Sequence, residues 1–370
     1  MWSPGEVRTG LASLALLFLL QAVTFSTCQQ NRSLMPPSVA LGLGSAAGPG
    51  PTQGLGSVPG PVAALLTERV KRNMDSGKIQ INDPMCGLKP RRKRQTGTAE
   101  GDVLSVEHEL FIVGGVTAEV GQFPWLVGVA NFFSTAPFCG GAIINERFVV
   151  TAAHCLISDT QTVFSRSAIT LAVLVNKHLR KDDERQIKFS IEKIIRHPDY
   201  NRRTVNDDLA LLKLKDGEGR LHDLLVSGIV RPICLPEEPC EGTGRPACLL
   251  DRDVIIAGWG SLAEDGAKPT ALQVATVKVL PNEVCRDAYR NAFRGITLTV
   301  NDGMLCAGQP DGGTDTCDGD SGGPMMLEIN GKITLVGVVS FGKFCASPDY
   351  PGVYARVSEY TEWIINNSRV

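Results

Sequence analysis

The chain is 370 residues long, with 37 basic and 39 acidic side chains and a net charge of −2. So small a charge supplies no field that would recruit nucleic acid or an anionic membrane, which sets both aside as partners. The length exceeds one average domain, although barrels of β-strands run to about 200–250 residues as single units.

At the N-terminus, Met1 to Arg8 is a short charged start and Leu11 to Leu20 is an apolar run. The run is too short to span a bilayer and reads as the core of a secretory signal over residues 1–28, with small residues at Ser26 and Thr27. A membrane anchor is the competing reading. Eleven cysteines in a secreted chain predict a disulfide framework. Cleavage between Cys28 and Gln29 leaves an even set, whereas cleavage before Thr27 leaves Cys28 as a free or intermolecular thiol. The sequons Asn31-Arg32-Ser33 and Asn366-Asn367-Ser368 make Asn31 and Asn366 glycosylation candidates.

Residues 29–111 read as a largely disordered pro-segment. Gly, Pro, Ser and Ala dominate from Ser38 to Pro61, with almost no aromatic residue to seed a core. Ala63 to Met74 is compatible with a short helix. Arg91-Arg92-Lys93-Arg94 is either a solvated charge run or a furin-like processing site. A cut after Arg94 leaves residues 95–111 attached to the chain from Ile112 onward.

From Ile112 the pattern changes to short apolar runs separated by turn residues. Trp125 to Val129, Phe148 to Val150, Ala210 to Leu214, Val254 to Ala257 and Leu335 to Val339 read as strands. They predict an all-β fold compatible with two packed barrels. Near the end, Val357, Tyr360, Trp363 and Ile364 recur at helical spacing, predicting a helix over Val357 to Asn366.

The chemistry concentrates in Gly319-Asp320-Ser321-Gly322-Gly323-Pro324. Flanking glycines let the backbone turn tightly, exposing the Ser321 hydroxyl and letting neighbouring N–H groups converge. A serine hydroxyl is a poor nucleophile alone, so the stretch calls for a histidine base and a carboxylate elsewhere. Thr151-Ala152-Ala153-His154-Cys155 and Asp207-Asp208-Leu209-Ala210-Leu211-Leu212 supply them. Alternation along a strand would point Asp207 and Asp208 to opposite faces, so only one can serve.

These collinear motifs, in the order His, Asp, Ser, resemble trypsin/chymotrypsin-type serine protease zymogens over residues 112–370. The resemblance implies two packed six-stranded antiparallel Greek-key barrels with a C-terminal helix. It assigns Ser321 as nucleophile, His154 as base and Asp208, by its Asp-apolar-Ala-Leu-Leu context, as the partner of His154. Gly319 and Ser321 N–H groups would form the oxyanion hole. Asp315 matches the aspartate at the base of the primary pocket, selecting Arg or Lys, and Gly342 and Gly352 match its open walls. Ser340 matches a serine bonded to the triad aspartate. Phe341 stands where the family has tryptophan, keeping an aromatic wall for extended substrate. Phe344 replaces a common glycine and would crowd the pocket mouth, while Asp318 would disfavour acidic substrate residues.

The same resemblance pairs Cys139 with Cys155, Cys285 with Cys306, and Cys317 with Cys345. One family bridge is missing, with Val254 and Leu327 at its two places. Cys240 and Cys248 would close a local loop and Cys86 would pair with Cys234, although Cys240 could exchange for Cys234. Cys86 alone lies between the signal region and residue 112, which excludes the six-cysteine clip module of some relatives. Lys177 stands where relatives place calcium carboxylates, and Pro351 resembles relatives without a sodium site. No metal or cofactor is expected.

Family zymogens are activated by a cut that frees Ile-Val-Gly-Gly, whose ammonium inserts beside the aspartate preceding the nucleophile. Here that means a cut between Phe111 and Ile112, with Asp320 as the partner. Family members carry Arg or Lys before the cut; Phe111 predicts an upstream activating protease of apolar preference. The further partners implied are protein substrates and macromolecular protease inhibitors. The alternative is a non-catalytic homologue acting as a binding or cofactor protein.

Overall fold

A computed structural model describes residues 78–89, 114–157, 166–216, 219–237, 249–292 and 298–370. The expected signal, Phe111 and Ile112 on either side of the expected cleavage, the polybasic run, Asn31, the helix expected over 63–74, and Cys240 and Cys248 lie outside these residues.

Strands β1 (Val116–Thr117), β2 (Leu126–Asn131), β3 (Cys139–Ile143), β4 (Phe148–Thr151), β5 (Leu171–Val175), β6 (Ile187–Arg196) and β7 (Ala210–Leu214) come first. β2 to β7 close a barrel in the order β2-β3-β4-β7-β6-β5, with every neighbouring pair antiparallel. Residues of β3, β4 and β5 are buried throughout, which is why Phe148 to Val150 of β4 reads as a continuous apolar run. β8 (Asp253–Gly258), β9 (Gln273–Leu280), β10 (Met304–Gly308), β11 (Pro324–Ile329), β12 (Lys332–Phe341) and β13 (Gly352–Arg356) form the second barrel, closed where β8 pairs with both β9 and β11. β1 adds to the outside of β9 through Val116–Val274 and Thr117–Gln273. Asn330 and Gly331, at φ +51° and +76°, make the two-residue turn between β11 and β12, the conformation that favours Asn-Gly.

Among the described residues, three helices flank the barrels: α1 (Arg220–Val226), α2 (Asn282–Tyr289) and α3 (Val357–Asn367). α3 buries Val357, Tyr360 and Ile364 into the cluster that also holds Trp125 and Leu209, as its spacing predicts. No helix among the described residues is long and apolar enough to cross a membrane. Trp125, fully buried on the first barrel, donates its indole N–H to the Met326 Sδ of β11 at 3.1 Å and so stitches the barrels together.

Four bridges form among the described residues, Cys86–Cys234, Cys139–Cys155, Cys285–Cys306 and Cys317–Cys345. The choice left open for Cys86 therefore falls on Cys234. Val254 and Leu327, where the family bridge is missing, are both buried in the core of the second barrel. Two buried aliphatic side chains contribute about 1.5–3 kcal/mol each, comparable to what a disulfide supplies.

Residues 78–89 depart from the disorder expected of the pro-segment. Ile79 is buried, its N–H bonds Glu146 Oε2 at 3.0 Å and its carbonyl accepts Glu146 N–H. The Asn82 amide exchanges two hydrogen bonds with the Leu235 backbone, and Gly87 bonds Pro232 and Ile333. A few apolar anchors and a disulfide order this stretch against the barrels, which composition averaged over the whole segment conceals.

Candidate active site

β4 runs into a 3₁₀ turn, His154–Leu156, pinned by the bridge from Cys155 to Cys139 on β3. The turn presents His154 to the residues just before β7. His154 Nδ1 lies 2.7 Å from Asp208 Oδ2, and the His154 backbone N–H donates to Asp208 Oδ1 at 2.8 Å. Asp208 is 2% exposed, and its Oδ2 also accepts the Ser340 hydroxyl of β12 at 2.5 Å. Three donors thus hold a buried carboxylate, which fixes the imidazole with Nε2 turned away from it.

Asp207 and Asp208 are separated, but not by strand alternation. They precede β7, and Asp207 adopts the left-handed conformation at φ +56°. That turn sends the Asp207 carboxylate to the Tyr360 hydroxyl of α3 at 3.1 Å. The reason lies in the loop rather than in the period of a strand.

Ser321 backs onto the histidine turn. Its carbonyl accepts Gly140 N–H at 2.8 Å and lies 3.6 Å from Cys155 Sγ, which is 3.8 Å from His154 Nε2. Gly322 is required here: φ is +76°, and a Cβ would collide with Thr151 Oγ1. The N–H groups of Gly322 and Gly323 bond Val339 and Asp320, whereas among the described residues no hydrogen bond takes Gly319 or Ser321 N–H. Gly319 itself takes φ +104°.

Asp320 is 2% exposed between β8 and the loop before the serine, accepting Gly260 N–H at 2.7 Å and Cys317 N–H at 3.0 Å. Burial pushes its carboxyl up to about 6, against those two hydrogen bonds. Gly114, two residues after Ile112, sits at φ +75° against Gly313 and Thr314, so the chain enters β1 beside this loop.

Asp315 is 3% exposed, held by Thr316 N–H at 2.7 Å and the Tyr354 hydroxyl at 3.3 Å. Burial lifts it to about 7. A Cβ on Gly352 would meet Asp315 Oδ1 at 2.8 Å, while one on Gly342 would meet nothing nearer than 4.0 Å. The two glycines leave an open approach to a buried carboxyl. Cys317–Cys345 ties its two sides together. Phe341 packs edge-on to Tyr289 at 5.4 Å. Phe344 takes φ +61° and lies half exposed, edge-on to Tyr350 at 5.8 Å, with the Lys343 ammonium above both rings. Tyr354 carries no signal of its own in the sequence; it stands two residues after Gly352 on β13 and so shares its face.

Elsewhere, Lys177 is buried, donates to Gln186 Oε1 at 2.7 Å and is lowered to about 8, burial outweighing Asp183 and Asp182. Among the described residues one group has metal-ligating atoms within 4.8 Å of one another, Cys139, His154 and Cys155, and its two sulfurs are joined as a disulfide. Asn366 is exposed on the last turn of α3, but the Ser368 of its sequon is buried and bonds Ile364.

The family described as Trypsin matches residues 112–364. The chain is 36% identical over 259 residues to trypsin-1 of Astacus astacus, covering 70% of this chain and 100% of that one. To the clotting factor G beta subunit of Tachypleus tridentatus it is 32% identical over 303 residues, covering 81% and 85%. To the urokinase-type plasminogen activator of Gallus gallus it is 38% identical over 261 residues, 69% of this chain but only 57% of that one.

Proposed function

Because the chain belongs to the trypsin family of serine endopeptidases, we propose that it is a secreted zymogen whose 112–370 domain cleaves proteins after Arg or Lys. The observation that carries this reading is the His154–Asp208–Ser340 arrangement, at 2.7 and 2.5 Å, with Ser321 packed behind the histidine turn. Ser321 Oγ attacks the scissile carbonyl while His154 Nε2 takes its proton. Asp208 stabilises the imidazolium, and the oxyanion is met by Gly319 and Ser321 N–H. The C–N bond breaks as His154 returns the proton to the leaving amine, and water releases the acyl group by the same steps reversed. Asp315, ionised by the arrival of a cationic side chain, selects Arg or Lys between Gly342, Gly352 and Phe341.

Residues 1–28 are the signal, 29–111 the pro-segment, and the cut between Phe111 and Ile112 the activating step, by a protease of apolar preference. The new ammonium pairs with Asp320 and orders the serine loop. Protein substrates, inhibitors and the activator are the partners this reading requires.

The test is labelling with an active-site-directed organophosphate after a chymotrypsin-like cut, together with a peptide library varied at the cleaved residue. Ser321 is expected to take the label and Ser321→Ala to refuse it, with turnover confined to Arg and Lys. No label on cut protein would leave the non-catalytic homologue, and turnover without basic preference would sink the role of Asp315. N-terminal sequencing of the active form should read Ile112 beside the terminus of the piece that the Cys86–Cys234 bridge retains; full activity with a terminus at Gln95 and none at Ile112 overturns the activation step.

A further inference from the structure

The oxyanion hole depends on the orientation of one peptide unit, that joining Asp318 to Gly319. The peptide is planar and its N–H and C=O point in opposite directions, so a half-turn of the plane would replace a donor in the hole with an acceptor. Glycine at φ +104° offers little resistance to such a turn. Something must hold the far side of the plane, where the Asp318 carbonyl points.

Three groups meet there. Ser261 N–H, just after β8, donates to the Asp318 carbonyl at 2.9 Å, with the Ser261 hydroxyl 3.4 Å away. The Lys268 ammonium also donates to this carbonyl and bonds Ser261 Oγ at 3.1 Å. A Cβ placed on Gly319 would sit 2.8 Å from Lys268 Nζ, so the ammonium lies directly against the turn. Lys268 belongs to the loop between β8 and β9, distant in sequence from the serine and absent from any motif.

We propose that Lys268 is a positioning residue for catalysis: its ammonium clamps the Asp318 carbonyl and thereby keeps Gly319 N–H facing the hole. The inference rests on the proposed protease function and deepens it. Two further observations support it. The charge of Lys268 favours the ionised form of buried Asp320, on the other side of Gly319. Burial lowers the lysine while Asp320 and Asp318 oppose that fall, the signature of an ammonium held against acidic neighbours.

The experiment compares wild type, Lys268→Met and Lys268→Arg, each cut at Phe111. Losing an oxyanion donor outright lowers turnover about 100–1,000-fold; with Ser261 still on the carbonyl, Lys268→Met should lower kcat about 10–100-fold. KM should change little, and Lys268→Arg should recover most of the loss. A peptide aldehyde, which builds the oxyanion on Ser321, should bind weaker by the same factor, whereas benzamidine, a cation that needs Asp315 alone, should bind as before. Unchanged kcat and aldehyde affinity in Lys268→Met would overturn the proposal. So would a parallel loss of benzamidine affinity and thermal stability, which marks a merely structural lysine. A wild type inactive in every assay would refute the protease reading instead. The clamp is then read from the Gly319 amide resonance, which moves in Lys268→Met if the peptide turns and stays put if it does not.

Discussion

Replacing Asp315 with asparagine should stabilise the free protein while abolishing the basic preference proposed for it. Asp315 is 3% exposed, and burial raises its carboxyl from the ordinary value of 3.8 to about 7. The unfolded chain releases this proton near pH 4, whereas the folded protein holds it until about pH 7. Across that window the folded state binds more protons, so its stability falls as pH rises and levels off above about 7. At about 1.4 kcal/mol per pH unit, the gap amounts to about 4 kcal/mol. Asparagine retains the oxygen that accepts Thr316 N–H and the Tyr354 hydroxyl, and carries no charge to desolvate. The assay is guanidinium unfolding in a Ser321→Ala background, disulfides intact and tryptophan fluorescence as readout. Proteins with and without Asp315→Asn should show equal stabilities near pH 4. At about pH 8 the asparagine variant should be more stable by about 4 kcal/mol. With Ser321 restored, the same substitution removes the partner of a buried cation, worth about 3–5 kcal/mol, so kcat/KM on Arg substrates should drop by roughly 100–5,000-fold. A stability difference that stays constant between those two pH values would refute the reasoning.

Two other substitutions probe the remaining contacts. Ser340→Ala deletes the hydroxyl 2.5 Å from Asp208 Oδ2, a hydrogen bond to a buried charge worth about 1.5–3 kcal/mol, so kcat should fall roughly 10–100-fold in steady-state assays with KM little changed. Cys86→Ser removes the bridge to Cys234, leaving segment 78–89 held only by Ile79, Asn82 and Gly87. Protein cut at Phe111 should then run as two pieces on a non-reducing gel instead of one, and unfold at about 2–5 kcal/mol lower stability.

Much of the site was legible because its signals are local. Gly319 to Pro324 carries its glycines, the proposed nucleophile and a buried aspartate within six residues, and His154 and Cys155 lie side by side. β2, β4, β7 and β12 announced themselves because most of their residues, on both faces, are buried, whereas β3 and β5 were not read. α1 and α2 carried no comparable signal: they are 7 and 8 residues long, and tertiary packing rather than propensity sustains helices so short.

By itself, then, the chain determined the all-β class, the C-terminal helix and the candidate triad, since each is written in spacing or in a contiguous motif. The motif around Asp208 already favoured it over Asp207, and tertiary structure supplied the reason: a left-handed turn at Asp207, not strand alternation, carries its carboxylate to Tyr360 and leaves Asp208 to His154. Tertiary structure alone ordered residues 78–89, by giving Ile79 a core to enter and Cys86 a partner. And it alone brought Lys268 and Tyr354 to Asp318 and Asp315, contacts across 50 and 39 residues that no local pattern encodes.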